Sequence, residues 1–406
     1  MNQSVDIQLS HLEAEFGENQ VQRAIDAVAK FRVEVPSWIF GPFGGGRFSG
    51  YMPPGYARTI KEKLDDAAVI HQLTGAVDSV AVHVLWDLSE TGTEGSMARA
   101  SQVKQAAEER GLSMGSVSPT LFLEGSHRGS LSADEEETRK RYMDQLVFSA
   151  QVAGDLGNNL VTLWLPDGSL YPGQVTLRRA FENASEVVRS AYSQFDQSVQ
   201  LLIEYKVFEP GTYSTVLSDW GSAYMLAKEL GKNAGVLVDL GHHAYGTNIE
   251  QIVARLISDG MRCGFHFNTR YAADDDHAVE PNGEMARIFY ELVSGEVVCQ
   301  QDMKKNWAYM IDQCSGRENR MLSVLHSIDS LQLSLAKACL VDSDKLRVLQ
   351  QTDRIILANR LFNDALLNAD VRPIVRAARM QQNLPADSVS AYVQSGYQRT
   401  IENQRI

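Results

Sequence analysis

Cysteine is scarce in this chain. Its four cysteines, Cys263, Cys299, Cys314 and Cys339, are spread over 406 residues at wide, irregular spacings with no C-x-x-C pair. That excludes a thiolate zinc knuckle or a disulfide framework as the organising device, and the four read as buried or incidental thiols. Basic charge is also in deficit: 38 Lys and Arg against 51 Asp and Glu leave a formal charge of -13. Nonspecific attraction to nucleic acid or anionic lipid depends on Lys and Arg neutralising phosphates, so neither is an expected partner. No apolar run reaches bilayer-spanning length, and the opening MNQSVDIQLSHLEAEFG lacks a basic segment followed by an apolar one. The expected address is the cytoplasm. With 44% hydrophobic and 22% charged residues the composition is that of an ordinary globular chain.

What is present is an alternation. Short runs rich in β-branched and apolar residues occur at VEVPSWIF (from 33), VAVHVLW (80), LSMGSVS (112), NLVTLWL (159), VQLLIEYK (199), AGVLVDLG (234), CGFHFN (263) and AYMIDQ (308). Between them, segments such as YARTIKEKLDDAAVIHQLTG and NIEQIVARLISDG place apolar residues three and four apart and end at glycine, as amphipathic helices do. Eight strands alternating with helices predict an α/β fold, a parallel (β/α)8 TIM barrel, although an open doubly wound sheet would alternate similarly. The barrel with an N-terminal helix is expected over 1–316, and a helical C-terminal extension over 317–406. The apolar face of VDSDKLRVLQQTDRIILANRLFNDALL packs either on its own barrel or on a second subunit.

In such barrels functional side chains gather at the carboxyl ends of the strands. Four of these ends carry candidate ligands: Glu204 in LLIEYK, Asp239 in VDLGHH, His266 in GFHFN and Asp312 in MIDQ. A lone acid at a strand end is commonly a loop cap. Four converging ones would repel at close range unless a divalent cation lay among them, so they are read as one metal site. After His266 the chain runs into DDD, which is either a solvated acidic loop or, with His242, the second of two cation sites built from Asp274 and Asp276. Carboxylates with one imidazole per site suit Mn2+ first, then Co2+ or Mg2+. Lys206 shares a strand face with Glu204 and either polarises a substrate oxygen or pairs with a nearby acid. Trp38, Trp86 and Trp164 either stack on a sugar ring or pack the rim, and His83 faces in or out by register alone.

At these residues the chain resembles the L-rhamnose isomerases of the xylose-isomerase-like barrels. VPSW, KLDDAAVIHQLT, LWLPDGSLYPGQ, YSTVLSDWG, VDLGHHAYGTNIEQIVARLI, GFHFN, DDD and MIDQ follow the family order over nearly the whole chain. The resemblance implies a homotetramer interconverting L-rhamnose and L-rhamnulose, with hydride passing between C1 and C2 and two divalent cations per subunit. It assigns Glu204, Asp239, His266 and Asp312 to a structural cation, and His242, Asp274 and Asp276 to a catalytic one. Lys206 matches a substrate-contacting lysine and His83 a histidine beside the sugar ring oxygen, making His83, Lys206 and Asp312 the catalytic candidates. Phe48, in GGGRFSG, matches a phenylalanine that reaches a neighbouring subunit's pocket and joins the tryptophans in substrate binding. One departure stands out: Thr269 and Arg270 replace an acid followed by a small polar residue or lysine. Arg270 therefore raises the expectation of an anionic sugar. Rival readings are an isomerase or 3-epimerase of another sugar, a metal-dependent phosphodiesterase acting at DNA lesions, which the acidic charge opposes, and a non-catalytic sugar- or metal-binding scaffold.

Overall fold

Eight parallel strands, each followed by a helix, close into a ring in the computed structural model, which describes residues 3–41, 53–121, 123–209, 213–270, 277–298, 307–314 and 317–405. The strands are β1 (Val35–Pro36), β2 (Ser79–His83), β3 (Ser113–Ser118), β4 (Leu160–Trp164), β5 (Gln200–Glu204), β6 (Ala234–Asp239), β7 (Cys263–Phe267) and β8 (Trp307–Ile311). They pair in chain order. Closure comes from a parallel bridge between Glu34 and Met310: Glu34 N donates to Tyr309 O at 2.8 Å and Ile311 N to Glu34 O at 3.0 Å. All eight predicted strands are present, but two of the apolar runs leave the sheet for a helical turn. Pro36, lacking an N–H, ends the first ladder, and Ser37–Phe40 turns into a 3-10 helix. After His83 the chain enters the helical turn Val84–Asp87, drawn in by the Asp87 carboxylate accepting from His83 N at 3.1 Å.

The helices follow from spacing and caps. Ile249–Ser258 starts where the Asn248 side chain accepts from Gln251 N, and it buries Ile249, Ile252, Val253 and Leu256 on one stripe. Ile60–Thr74 has a reciprocal capping box between Thr59 and Glu62 and stops at Gly75 in the left-handed region. Arg320–Leu340 follows β8, packs against Gly283–Ser294, Glu18–Lys30 and Ile60–Thr74, and is buried along most of its length. It occupies the place of the eighth barrel helix. Beyond it, Ser343–Gln351 and Ile355–Asn363 bury only Leu346 and Ala358 respectively. No helix among the described residues is long and apolar enough to cross a membrane.

Alternation along the strands fixes what fills the ring. Leu160, Leu202 and Leu237, with Ala308 against them, form a small apolar cluster of their own at the amino-terminal end of the barrel interior. Each leucine buried there contributes roughly 1.5–3 kcal/mol. Gly264 has to be small, because a Cβ would stand 2.6 Å from the Leu202 side chain. Two residues further along the same strands, and so on the same inward face, come Glu204, Asp239 and His266. The leucine layer is the floor on which the polar site rests.

Candidate active site

Five ionisable side chains meet above that floor. Glu204 ends β5, Asp239 ends β6, His266 lies one residue from the end of β7, Asp312 follows β8, and His242 sits on the loop after β6. His266 Nδ1 lies 3.2 Å from Glu204 Oε1, 3.4 Å from Asp239 Oδ2 and 3.4 Å from Asp312 Oδ2. His242 Nδ1 is 3.1 Å from Glu204 Oε1. The strands hold these groups rigidly, and neighbours orient them further. Asp239 Oδ1 accepts from Gly241 N at 2.8 Å and Asn268 Nδ2 at 2.9 Å. Trp38 Nε1 donates to Asp312 Oδ1 at 3.0 Å across the ring closure.

The electrostatics are those of carboxylates held together by positive charge. Burial favours a neutral Glu204, yet His266 and His242 outweigh it and hold the carboxyl well below its usual range. Burial likewise opposes charge on His266, but Glu204, Asp239 and Asp312 around its ring raise its pKa well above the ordinary histidine value. Burial pushes Asp312 up to about 6, with His266 pulling the other way and Asp239 and Glu204 adding to the rise.

The donor set fits a divalent cation. One ligand atom each from Glu204, Asp239 and His242 lies within 4.8 Å of the others, as does one each from Asp239, His266 and Asp312. Ligands at about 2.0–2.3 Å from a shared ion are at most about 4.6 Å apart, so small adjustments suffice. Asp239 Oδ2 is buried and has no hydrogen-bond partner among the described residues, as an oxygen reserved for an ion would be. Three carboxylates and two imidazoles make this an oxygen and nitrogen donor set, with no thiolate in it.

This cluster lies at one end of a cavity of about 630 Å³. Trp38, His83 and Trp86 wall it: the His83 ring lies 4.8 Å from Trp38 and 4.0 Å from Trp86, centroid to centroid. Trp86 is 52% exposed and so stands at the mouth. Desolvation depresses the His83 pKa to about 4, despite the nearby Asp87, so the imidazole is neutral near pH 7. Its Nδ1 has no hydrogen-bond partner among the described residues. Lys206 meets both readings of the sequence: it lines the cavity with Nζ 4.9 Å from the Trp164 ring centroid, and Nζ also pairs with Glu209 at 2.9 Å.

The structure thus gathers Glu204, Asp239, His242, His266, Asp312, Trp38, His83, Trp86, Trp164 and Lys206 around one space. Phe48, Asp274 and Asp276 lie outside the described residues. Arg270 does not line the cavity. Its guanidinium donates to the carbonyls of His243 and Ala244 at 2.9 and 2.8 Å and pairs with Glu284 at 3.2 Å. Loop carbonyls captured it, which removes the reason for expecting an anionic sugar from that residue. Sequence reasoning missed Lys63 and Arg320, helix residues that line the cavity. It also missed the Ser118–Thr162 hydroxyl pair, 2.6 Å apart on β3 and β4. Alternation alone places Ser118 and Thr162 on inward faces; nothing in the pattern singles out Lys63 or Arg320.

Residues 77–292 match the family model described as xylose isomerase-like TIM barrel. A probable sugar isomerase of Mesorhizobium japonicum is 35% identical over 97% of this chain and 91% of its own length. Another of Rhizobium meliloti is 34% identical over 96% and 91%. Among solved structures, an L-ribulose 3-epimerase shares the fold at 13% identity and a TM-score of 0.51, covering 76% of this chain and 95% of its own. A xylose isomerase domain protein of Alicyclobacillus acidocaldarius does so at 15% and 0.51, covering 76% and 99%.

Proposed function

Because the chain belongs to the xylose isomerase-like TIM barrel family, we propose that it is a metal-dependent aldose–ketose isomerase whose first substrate pair is L-rhamnose and L-rhamnulose. The observation that carries this is the convergence of Glu204, Asp239, His242, His266 and Asp312 beside an aromatic-walled cavity of sugar size. Glu204, Asp239, His266 and Asp312 would hold one divalent cation, Mn2+ in the first instance. His242, with Asp274 and Asp276, would hold a second. When bound, such cations supply electrophilic stabilisation of the sugar's O1 and O2.

The side chains do the rest. Trp38 fixes Asp312 through its Nε1 hydrogen bond, so wall and ligand cluster keep one geometry. His83, neutral, accepts a hydrogen bond from a sugar hydroxyl near the ring oxygen. Lys206 donates to a sugar oxygen from the strand neighbouring Trp164. Hydride transfer from C2 to C1, with the O2 proton passing to O1, needs the carbon chain held planar and bulk water kept out, which the three tryptophans favour.

A ketose 3-epimerase is the nearest alternative, and such a reaction uses two opposed glutamates as acid and base. Among the described residues lining the cavity Glu204 is the only glutamate, which favours the isomerase. The test is to strip the protein of metal, restore it with Mn2+ and follow a panel of aldoses and ketoses. Interconversion of L-rhamnose and L-rhamnulose supports the full reading. Turnover of another sugar pair moves the substrate, C3 inversion makes it an epimerase, and no product with any sugar leaves a binding scaffold. We further propose that Ser343–Gln351 and Ile355–Asn363, which expose Val348, Ile355, Ile356 and Leu357, serve tetramer assembly. Light scattering on the eluting protein decides that.

A further inference from the structure

We propose that Arg405, outside the cavity, is a positioning residue that latches the cavity wall at Gly41, Arg58 and Arg320; this rests on the isomerase reading for its kinetic arm. Residues 53–58 lead into the helix Ile60–Thr74, and in them Ala57 N donates to Phe40 O at 3.0 Å while Gly55 N donates to Arg405 O at 3.3 Å. The Arg320 guanidinium lies 4.3 Å from the Tyr56 ring centroid and donates to Ile39 O at 2.9 Å. Gly41, Arg58 and Arg320 all line the cavity. What fixes these residues from outside is therefore felt inside.

Arg405 is that outside fixing. Its side chain and that of Asp66 are 6% and 3% exposed, and Nη1 reaches Asp66 Oδ2 at 2.7 Å. The same Nη1 donates to Gly55 O at 3.1 Å, and Nη2 donates to Glu62 O at 3.3 Å. Tyr397 donates to the other Asp66 oxygen at 2.7 Å. One guanidinium thus ties the strap at Gly55, the first turn of the following helix and a buried carboxylate to the helix Tyr397–Gln404. Its planar fork makes several directed bonds at once, which a lysine could not. Gly55 sits at φ +85 with a Cβ position only 3.2 Å from Ile401, so the strap and that helix are fitted closely. The wall is held from behind by residues far along the chain from it, and its loosening would weaken sugar binding without touching the cation ligands.

The test compares the parent holoenzyme with Arg405→Gln, Arg405→Lys and Tyr397→Phe. For Arg405→Gln, KM for the sugar rises at least about tenfold with kcat within about twofold, the pattern of lost uniform binding. Arg405→Lys recovers part of the loss, and Tyr397→Phe gives a smaller shift in the same direction, remaining readable should Arg405→Gln fail to fold. Hydrogen exchange over 36–41 and 53–59 quickens at least about tenfold, while β5 and β6 exchange as in the parent. If no sugar is turned over, the isomerase reading falls and exchange alone judges the latch. Unchanged exchange in both segments, exchange that quickens everywhere alike, or a KM within twofold of the parent in a working isomerase would overturn the proposal.

Discussion

The buried pair Lys63–Asp87 gives the sharpest quantitative expectation. Lys63 Nζ lies 2.7 Å from Asp87 Oδ1, with side-chain exposures of 11% and 0%. Asp87 Oδ2 accepts from Ser37 Oγ at 2.5 Å and from His83 N at 3.1 Å. One carboxylate therefore joins the end of β1, next to Trp38, to the end of β2 at His83. Lys63→Met leaves that charge buried without its cation, a loss of about 3–5 kcal/mol for a pair so enclosed. At about 2.1 cal/mol/K per residue, the 406 residues give an unfolding entropy near 0.85 kcal/mol/K, so the melting temperature falls by about 5 °C. The double change Lys63→Met/Asp87→Asn removes the stranded charge while keeping an acceptor for Ser37 and His83, and should be at least about 2 kcal/mol less destabilised than Lys63→Met alone. Calorimetry on the metal-loaded protein measures both. Because the wall carrying Trp38 and His83 shifts in the single variant, kcat/KM falls about tenfold or more. A double variant no more stable than Lys63→Met would refute the reasoning, since the loss would then be packing rather than stranded charge.

Other outcomes follow from the same geometry. Asp239→Asn lowers bound Mn2+ to background in elemental analysis after gel filtration. Trp38→Phe keeps the ring but loses the hydrogen bond to Asp312, about 1.5–3 kcal/mol for a charged acceptor, and steady-state kinetics should show kcat/KM down roughly 10- to 100-fold. Arg270→Ala frees the carbonyls of His243 and Ala244 and leaves the ratio of neutral to anionic sugar turnover unchanged in a substrate panel. For His83 the sign is set by a folded pKa of about 4 against an ordinary 6.5. The unfolded chain takes up its proton first, so stability drops as pH falls from 6.5 towards 4, by at most about 3 kcal/mol across the window. His83→Asn should flatten that part of a melting-temperature against pH curve.

The strands were legible because burial on both faces makes a parallel strand a nearly continuous apolar run, as in AGVLVDLG and CGFHFN. Their ends were less so: WIF and VLW carry the same residue types but turn, one behind Pro36 and the other because Asp87 recruits the His83 amide. Glu204, Asp239, His266 and Asp312 could be found since a polar residue ending an apolar strand conflicts with its surroundings. Lys63, Asp87 and Arg320 belong to helices or a helical turn, where a charge is ordinary, and only the folded chain shows them turned inward. Arg270 misled for the converse reason: it follows the strand that carries His266, but backbone carbonyls of the preceding loop claim its guanidinium.

The leucine layer of Leu160, Leu202 and Leu237 has a bearing on traffic. It closes the ring beneath the polar cluster, so that among the described residues the cavity is a flask whose neck lies beside the exposed Trp86. On the isomerase proposal, ketose would leave past the same indole by which aldose arrived, so product would compete with substrate for the empty site in either direction.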